Sequence, residues 1–138
     1  LDECYVAVGG AATMNRAPIR TSRVTELSRA RIATTSPEAL KPDSLDAFNR
    51  LSAASATSTY GGDCHNYALL AAGHVDIVLE DGLATHDIMG VVEVIRAAGG
   101  IVTDKTGAAV TMQGTDSLLA ASTPELHAAA LALAGKSG

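Results

Sequence analysis

Asp63, Glu80 and Asp87 fall at the ends of expected strands and helices in the stretch from Gly61 to Asp104. Carboxylates in such positions suit two jobs. They can supply oxygens to a hard divalent cation, which takes a few carboxylates plus water, or they can accept hydrogen bonds from a polyhydroxy ligand. Each also has an ordinary structural explanation. Asp is among the best helix N-caps and interacts well with the positive end of the helix dipole, which would account for Asp87 and Asp63 without any ligand. Glu80 is different, because a carboxylate closing a buried apolar strand needs water, a cation or hydroxyl donors to compensate it. Asp81, in the turn Asp81-Gly82, is expected to face solvent.

The elements that must hold these groups follow from pattern. Asp63 is expected to open a helix closed by Gly73, Val75 to Glu80 reads as a strand, Asp87 opens a helix closed near Gly99, and Ile101 begins another strand. Ile88, Val91, Val92, Ile95 and Ala98 recur at the spacing of a buried helical stripe, with Glu93 and Arg96 pointing away. Upstream, Cys4 to Val8, Gly9-Gly10 and Ala12 to Ile19, with Asn15 at a turn, predict an antiparallel hairpin or meander. Arg31 to Thr35 offers a short strand and Pro37 to Pro42 a loop. Asp43 or Ser44 then caps a helix with Leu45, Phe48 and Leu51 on one face. Asp104-Lys105-Thr106-Gly107 is turn chemistry, after which Val110 to Met112 is expected to return as a hairpin arm. Leu118 to Ala121 reads as a last buried strand. A final helix begins at Thr123, or through a capping box of Ser122 with Glu125, and closes at Gly135.

Strand and helix alternate from Arg31 onward. The expected fold class is therefore α/β, a mainly parallel sheet flanked by helices and preceded by a short antiparallel hairpin. The expected division is 1–22, a hairpin belonging to an N-terminal sheet outside this sequence, and 23–138, a C-terminal α/β domain. Ligands in such sheets gather outside the carboxyl ends of the strands, so Glu80 and Asp87 are expected to share one rim.

Composition narrows the classes. A chain of 138 residues can bury about 68–70% of its unfolded surface, and its hydrophobic fraction of 47% is ordinary for a globular domain. No apolar run approaches the roughly 20 residues of a membrane-spanning helix. With 10 basic against 15 acidic residues the net charge is -5, which with no cluster of Lys and Arg among aromatics argues against nucleic acid. Cys4 and Cys64 lack C-x-x-C spacing and read as two thiols of a cytoplasmic protein. No H-x-x-x-H pair, G-x-S-x-G elbow or nucleotide loop occurs.

Together the segments YVAVGGAATMNRAPIRTS, RIATTSP, YGGDCHNYALLAAGHVDIVLEDGL, His86-Asp87 with a helix ending EVIRAAGG, and IVTDKTG resemble the carboxyl-terminal half of the inositol monophosphatase superfamily. The block GGDC with Tyr67 three residues on is similar to the histidinol-phosphatase branch. The resemblance implies a Mg²⁺-dependent phosphomonoesterase that hydrolyses a small phosphorylated alcohol with a metal-activated water. It implies that Asp87 is a metal ligand, that Glu80 contacts the organic part of the substrate, and that Asp63 lines the same pocket.

The family's remaining metal carboxylates belong to a glutamate-bearing segment and an Asp-Pro-x-Asp-Gly-Thr motif that this sequence lacks. Asp43-Ser44-Leu45-Asp46 copies the Asp spacing but continues into Ala47-Phe48 and reads as a helix start. The expectation is thus a partial catalytic set, inactive alone and completed by an N-terminal half. Ala84-Thr85, His86 and His65 also replace the Lys-Pro pair and two aromatics usual near the pocket, which leaves room for another phosphorylated polyol or amino alcohol. A rival expectation is a non-catalytic binding or assembly module. A homodimer is expected in which the first strand pairs with that of a second copy.

Overall fold

The computed structural model describes residues 2–136, and it is built from two sheets. The first is the expected meander: β1 (Tyr5–Val8), β2 (Ala11–Met14) and β3 (Ala17–Pro18), antiparallel throughout. Gly9 and Gly10 join β1 to β2 with φ of 58° and 76°. Positive φ at both central residues is the geometry whose twist matches the flanking strands. Asn15 and Arg16 make the next turn with φ of 48° and 71°, helped by Asn15 Oδ1 accepting from the Cys4 N–H at 2.8 Å.

The second sheet contains β4 (Arg31–Thr34), β5 (Thr57–Tyr60), β6 (Ile77–Asp81), β7 (Ile101–Thr103) and β8 (Ser117–Ala121), in the order β5-β4-β6-β8-β7. β5, β4 and β6 run parallel, whereas β8 pairs antiparallel with both β6 and β7. Four of the five strands therefore share one direction, the mainly parallel sheet expected, and β8 alone is reversed between β6 and β7. The reason is the connection from β7 to β8: it contains no crossover helix, so the chain turns back and pairs antiparallel. Within it, the expected hairpin arm Val110 to Met112 is reduced to isolated bridges, Thr103 with Ala109 and Thr111 with Gly114.

Helices cover both faces, and the alternation of side chains along each strand decides which. Ile32, Ile77, Leu79 and Leu119 point to a cluster with Phe48 and Leu51 of α1 (Pro42–Ala54) and Leu126 of α4 (Pro124–Ala134). Ala33, Val78, Leu118 and Ala120 point to the opposite cluster, with Tyr67 and Leu70 of α2 (His65–Ala71) and Ile88, Val92 and Ile95 of α3 (Thr85–Ala97). Ala12 of β2 joins this second cluster, so the small sheet rests on α3 and is part of the same body. The apolar stripe of α3 is as expected, with Val91 half-buried and Glu93 and Arg96 paired on the outside at 3.0 Å.

Helix starts differ from expectation in informative ways. α1 begins at Pro42, ahead of Asp43 and Ser44, because Pro has no N–H to leave unsatisfied and its φ is preset for the first turn. Asp43 instead pairs with Lys105 at 2.7 Å. Of the two readings of the last helix, Thr123 is the cap: its hydroxyl accepts from the Leu126 N–H at 3.2 Å, with Pro124 first in the helix.

Candidate functional site

The three parallel strands build the site. β4, β5 and β6 share one direction, so their carboxyl ends open onto one rim. In the β4–β6 register Ala33 stands opposite Val78, which brings Thr35, just past β4, beside Glu80. After β5 the chain turns through Gly61, Gly62 and Asp63, with φ of 84°, 104° and 44°. A Cβ on Gly62 would lie 2.6 Å from Asn66 Oδ1, so only glycine fits there. Asn66 ties the turn down by donating from Nδ2 to the Gly61 carbonyl at 2.9 Å. That turn places Asp63 on the rim two residues ahead of α2, so it does not open the helix as expected.

Asp63, Glu80 and Asp87 all line one cavity of about 350 Å³, together with Thr34, Thr35, Cys64, Tyr67, Asp81 and Leu83. The shared rim expected from sequence is therefore present. Asp63, Glu80, Asp81 and Asp87 give this cavity four carboxylates, and among the described residues no Lys, Arg or His lines it. Its field favours a cation or a donor-rich group and disfavours a bare anion.

Glu80 is 6% exposed. Its Oε1 accepts from the Thr35 N–H at 3.1 Å and from the Thr35 hydroxyl, and its Oε2 accepts from the Tyr67 hydroxyl at 2.8 Å. Burial first, and then the Glu80 charge, push the Tyr67 hydroxyl well above its ordinary value, which keeps it a donor. A carboxylate offers about four acceptor positions, so one remains beyond these bonds. Two further polar atoms in the cavity wall, Thr34 Oγ1 and Asp81 Oδ1, are buried without a partner; leaving such an atom unpaired costs about 1–3 kcal/mol. Asp81 is only half exposed, since its Oδ2 accepts from the Lys41 N–H at 2.8 Å.

Asp87 is the third residue of α3, where it was expected to open the helix. Its Oδ2 accepts from the Ala84 N–H at 3.0 Å, and Oδ1 lies 3.4 Å from His86 Nε2. It thus closes the start of α3, the structural role open to it from sequence, while its side chain stays 47% exposed on the cavity rim. Among the described residues no three His, Cys, Asp or Glu side chains converge to hold a metal ion. These residues alone do not fit Mg²⁺.

Sequence reasoning missed the groups that surround Glu80. Thr35 was legible only as the last residue of a strand, and Tyr67 only as part of the GGDC block. Asp76, just ahead of β6, was also missed. It is fully buried and accepts from Arg31 Nε at 2.8 Å, Arg31 Nη2 at 3.0 Å, the Arg31 N–H at 2.9 Å and the Ser22 hydroxyl. Cys4 and Cys64 are free and exposed.

The profile of the inositol monophosphatase family matches residues 1–138. The chain belongs to this family. It is 37% identical over 123 residues to the bifunctional phosphatase IMPL2 of Arabidopsis thaliana chloroplasts, covering 88% of this chain and 36% of that protein. It is 28% identical over 109 residues to a histidinol-phosphatase of Chlorobaculum parvum, covering 78% and 42%. An inositol monophosphatase from Zymomonas mobilis superposes with a TM-score of 0.92 at 30% identity, over 97% of this chain and 53% of that one. The inositol monophosphatase fold thus accounts for 97% of the chain, while the chain spans only 36–53% of these relatives.

Proposed function

We propose that this chain is the substrate-facing, carboxyl-terminal part of a phosphomonoesterase that acts on a small phosphorylated alcohol, with a phosphorylated amino alcohol of the histidinol phosphate kind preferred. The observation that carries this is the cavity lined by four carboxylates and no basic side chain. An ammonium group or a hydroxyl donor is drawn to the remaining acceptor position of Glu80, while the phosphate must be received elsewhere, against cationic groups that this cavity lacks. Family membership supports a phosphatase of small phosphorylated alcohols, and similarity to a histidinol-phosphatase supports the choice of substrate.

In this reading Glu80 and Asp63 face the organic part of the substrate, and Asp87 is the one Mg²⁺ ligand supplied by these residues. The other ligands belong to the remainder of a longer protein of the length its relatives have. No helix among the described residues is long and apolar enough to cross a membrane, and we place the enzyme in the cytoplasm. We propose a homodimer through the edge of β1, where Val6 and Val8 are exposed.

The inositol monophosphate reading rests on the superposition with the Zymomonas mobilis enzyme, and one assay separates the two. The complete gene product carrying this chain is tested with Mg²⁺ against histidinol phosphate and inositol monophosphate, beside the 138-residue chain alone. We expect turnover by the complete protein, with the larger kcat/KM on histidinol phosphate, and none by the 138-residue chain. Replacing a residue that merely supports a metal ligand costs about 10- to 100-fold, so Asp87→Asn is expected to lose about 100-fold or more. A larger kcat/KM on inositol monophosphate overturns the substrate choice, and turnover by the short chain overturns the division of ligands.

A further inference from the structure

Glu80 is held by its neighbours in a way that points past its own role. Its three donors are all neutral: the Thr35 N–H, the Thr35 hydroxyl and the Tyr67 hydroxyl. Among the described residues no Lys, Arg or His lies within ion-pair distance of it. A buried carboxylate so placed keeps its attraction for a cation, because neutral donors orient a charge without cancelling it. Which way that attraction points depends on the donors. Thr35 fixes Oε1 from the end of β4, and Tyr67 fixes Oε2 from α2, so the two oxygens are clamped by separate elements.

Tyr67 is built for this. It is 2% exposed, and its ring is buried in the cluster with Leu70, Val78 and Ile88, which sets the ring before any ligand arrives. An aromatic body in the core with a hydroxyl at the cavity wall is rigid at one end and polar at the other. The same ring also lines a second cavity, of about 480 Å³, on the side of β1 and α3. Tyr67 therefore stands between the two spaces together with Cys64 and Asp87, and losing its hydroxyl frees Oε2 to swing within the wall.

We propose that Tyr67 is a positioning residue that acts through Glu80, aiming the remaining acceptor position of the carboxylate into the cavity and so setting the preference for substrates that bring an ammonium or hydroxyl donor. This rests on the substrate reading above. Its consequence is selective. Removing the hydroxyl weakens recognition of a donor-bearing substrate and leaves a phosphate ester without such a donor untouched.

The test is Tyr67→Phe in the complete protein, assayed with histidinol phosphate and with phenyl phosphate, whose organic group has neither amine nor hydroxyl. We expect KM for histidinol phosphate to rise about tenfold, the order of one hydrogen bond to a charged group, with kcat held within about twofold. KM for phenyl phosphate is expected to stay within about twofold, and Tyr67→Phe added to Glu80→Gln should have no further effect. Thr35→Val removes the other hydroxyl and should shift KM the same way by less; it carries the test if Tyr67→Phe does not fold. Equal losses on both substrates, a fall in kcat alone, or no change would each overturn the proposal. Failure of the substrate reading is distinguishable, since the unmodified protein would then hydrolyse phenyl phosphate and leave histidinol phosphate intact.

Discussion

Asp76 immediately precedes β6 and Glu80 is its next-to-last residue, and both are buried. Asp76 is met by a guanidinium, whose Nε and Nη2 bind its two oxygens, and by the Arg31 N–H and the Ser22 hydroxyl. Glu80 is met by hydroxyls and one N–H, and it opens onto a cavity. The first carboxylate has its charge cancelled and its acceptor positions filled, so it pins the start of β6 to the start of β4. The second has its geometry fixed and its charge left in play. A buried acid with its own cation is fastening the fold; in the proposed reading, a buried acid with only neutral donors beside a cavity is kept for a ligand.

The largest effect expected from this contrast is on stability at Asp76. Breaking a buried ion pair by removing one partner costs about 3–5 kcal/mol. Arg31 is 41% exposed and can be rehydrated, so Asp76→Ala is expected at the lower end, about 3 kcal/mol, in urea unfolding. Glu80→Gln removes a charge that no cation balances and keeps an acceptor for Thr35, so it should change stability by no more than about 1 kcal/mol. Its loss should appear instead as a 10- to 100-fold fall in kcat/KM on the amino-alcohol phosphate, about the range of a charged hydrogen bond. If Glu80→Gln unfolds the protein as readily as Asp76→Ala does, the contrast fails.

Acid sharpens the same contrast with a smaller effect. Burial alone would raise the Asp76 carboxyl, but the bonds from Arg31 and Ser22 outweigh it and hold it below its ordinary 3.8. The unfolded chain then binds the proton more readily than the folded one, so stability is complete above the unfolded value and is lost as pH falls through the folded value. Asp104 is lowered as well, because bonds from Thr106, Ala108 and Gly107 outweigh its burial. The Asp76 share is therefore the difference between the unmodified chain and Asp76→Asn. Urea midpoints measured from pH 5 downward should fall less steeply for Asp76→Asn, and identical slopes would show that the ion pair adds nothing.

Much of this arrangement was legible in the residues, and the exceptions have physical causes. The spacing of Ile88, Val92, Ile95 and Ala98 defined the buried face of α3, because a helix on a sheet needs such a stripe. Glu80 stood out because a carboxylate after Ile77, Val78 and Leu79 breaks an apolar run. β5 was not legible: Thr57–Tyr60 is a polar edge strand, with no alternation to betray it. The direction of β8 was hidden for another reason, since a strand's own residues do not encode whether its partner runs parallel. Asp76 also interrupts an apolar run, yet its partner Arg31 is 45 residues away, and pairing at such distance is visible only once the fold brings β4 beside β6. Thr35 and Tyr67 were missed likewise, being ordinary alone and notable only where they meet Glu80.

Another buried titratable group, His127, supplies the smallest test. Its Nε2 lies 2.8 Å from Thr103 Oγ1, while the Thr103 hydroxyl donates to the Asp104 carbonyl at 2.7 Å. If the Thr103 hydroxyl is spent on that carbonyl, its oxygen accepts from His127 in the tautomer protonated at Nε2. Burial lowers this histidine below its ordinary 6.5. The unfolded chain then takes up a proton that the folded chain refuses, so stability is complete above 6.5 and declines as pH falls from there toward the folded value. His127→Leu should cost about 1 kcal/mol for the lost bond and flatten that decline. His127 does not line the cavity that holds Glu80, so the variant should leave KM for the amino-alcohol phosphate where it was. A shift in KM there would mean that burial without a cavity is enough to reach the substrate, and that the distinction between the two ends of β6 is drawn in the wrong place.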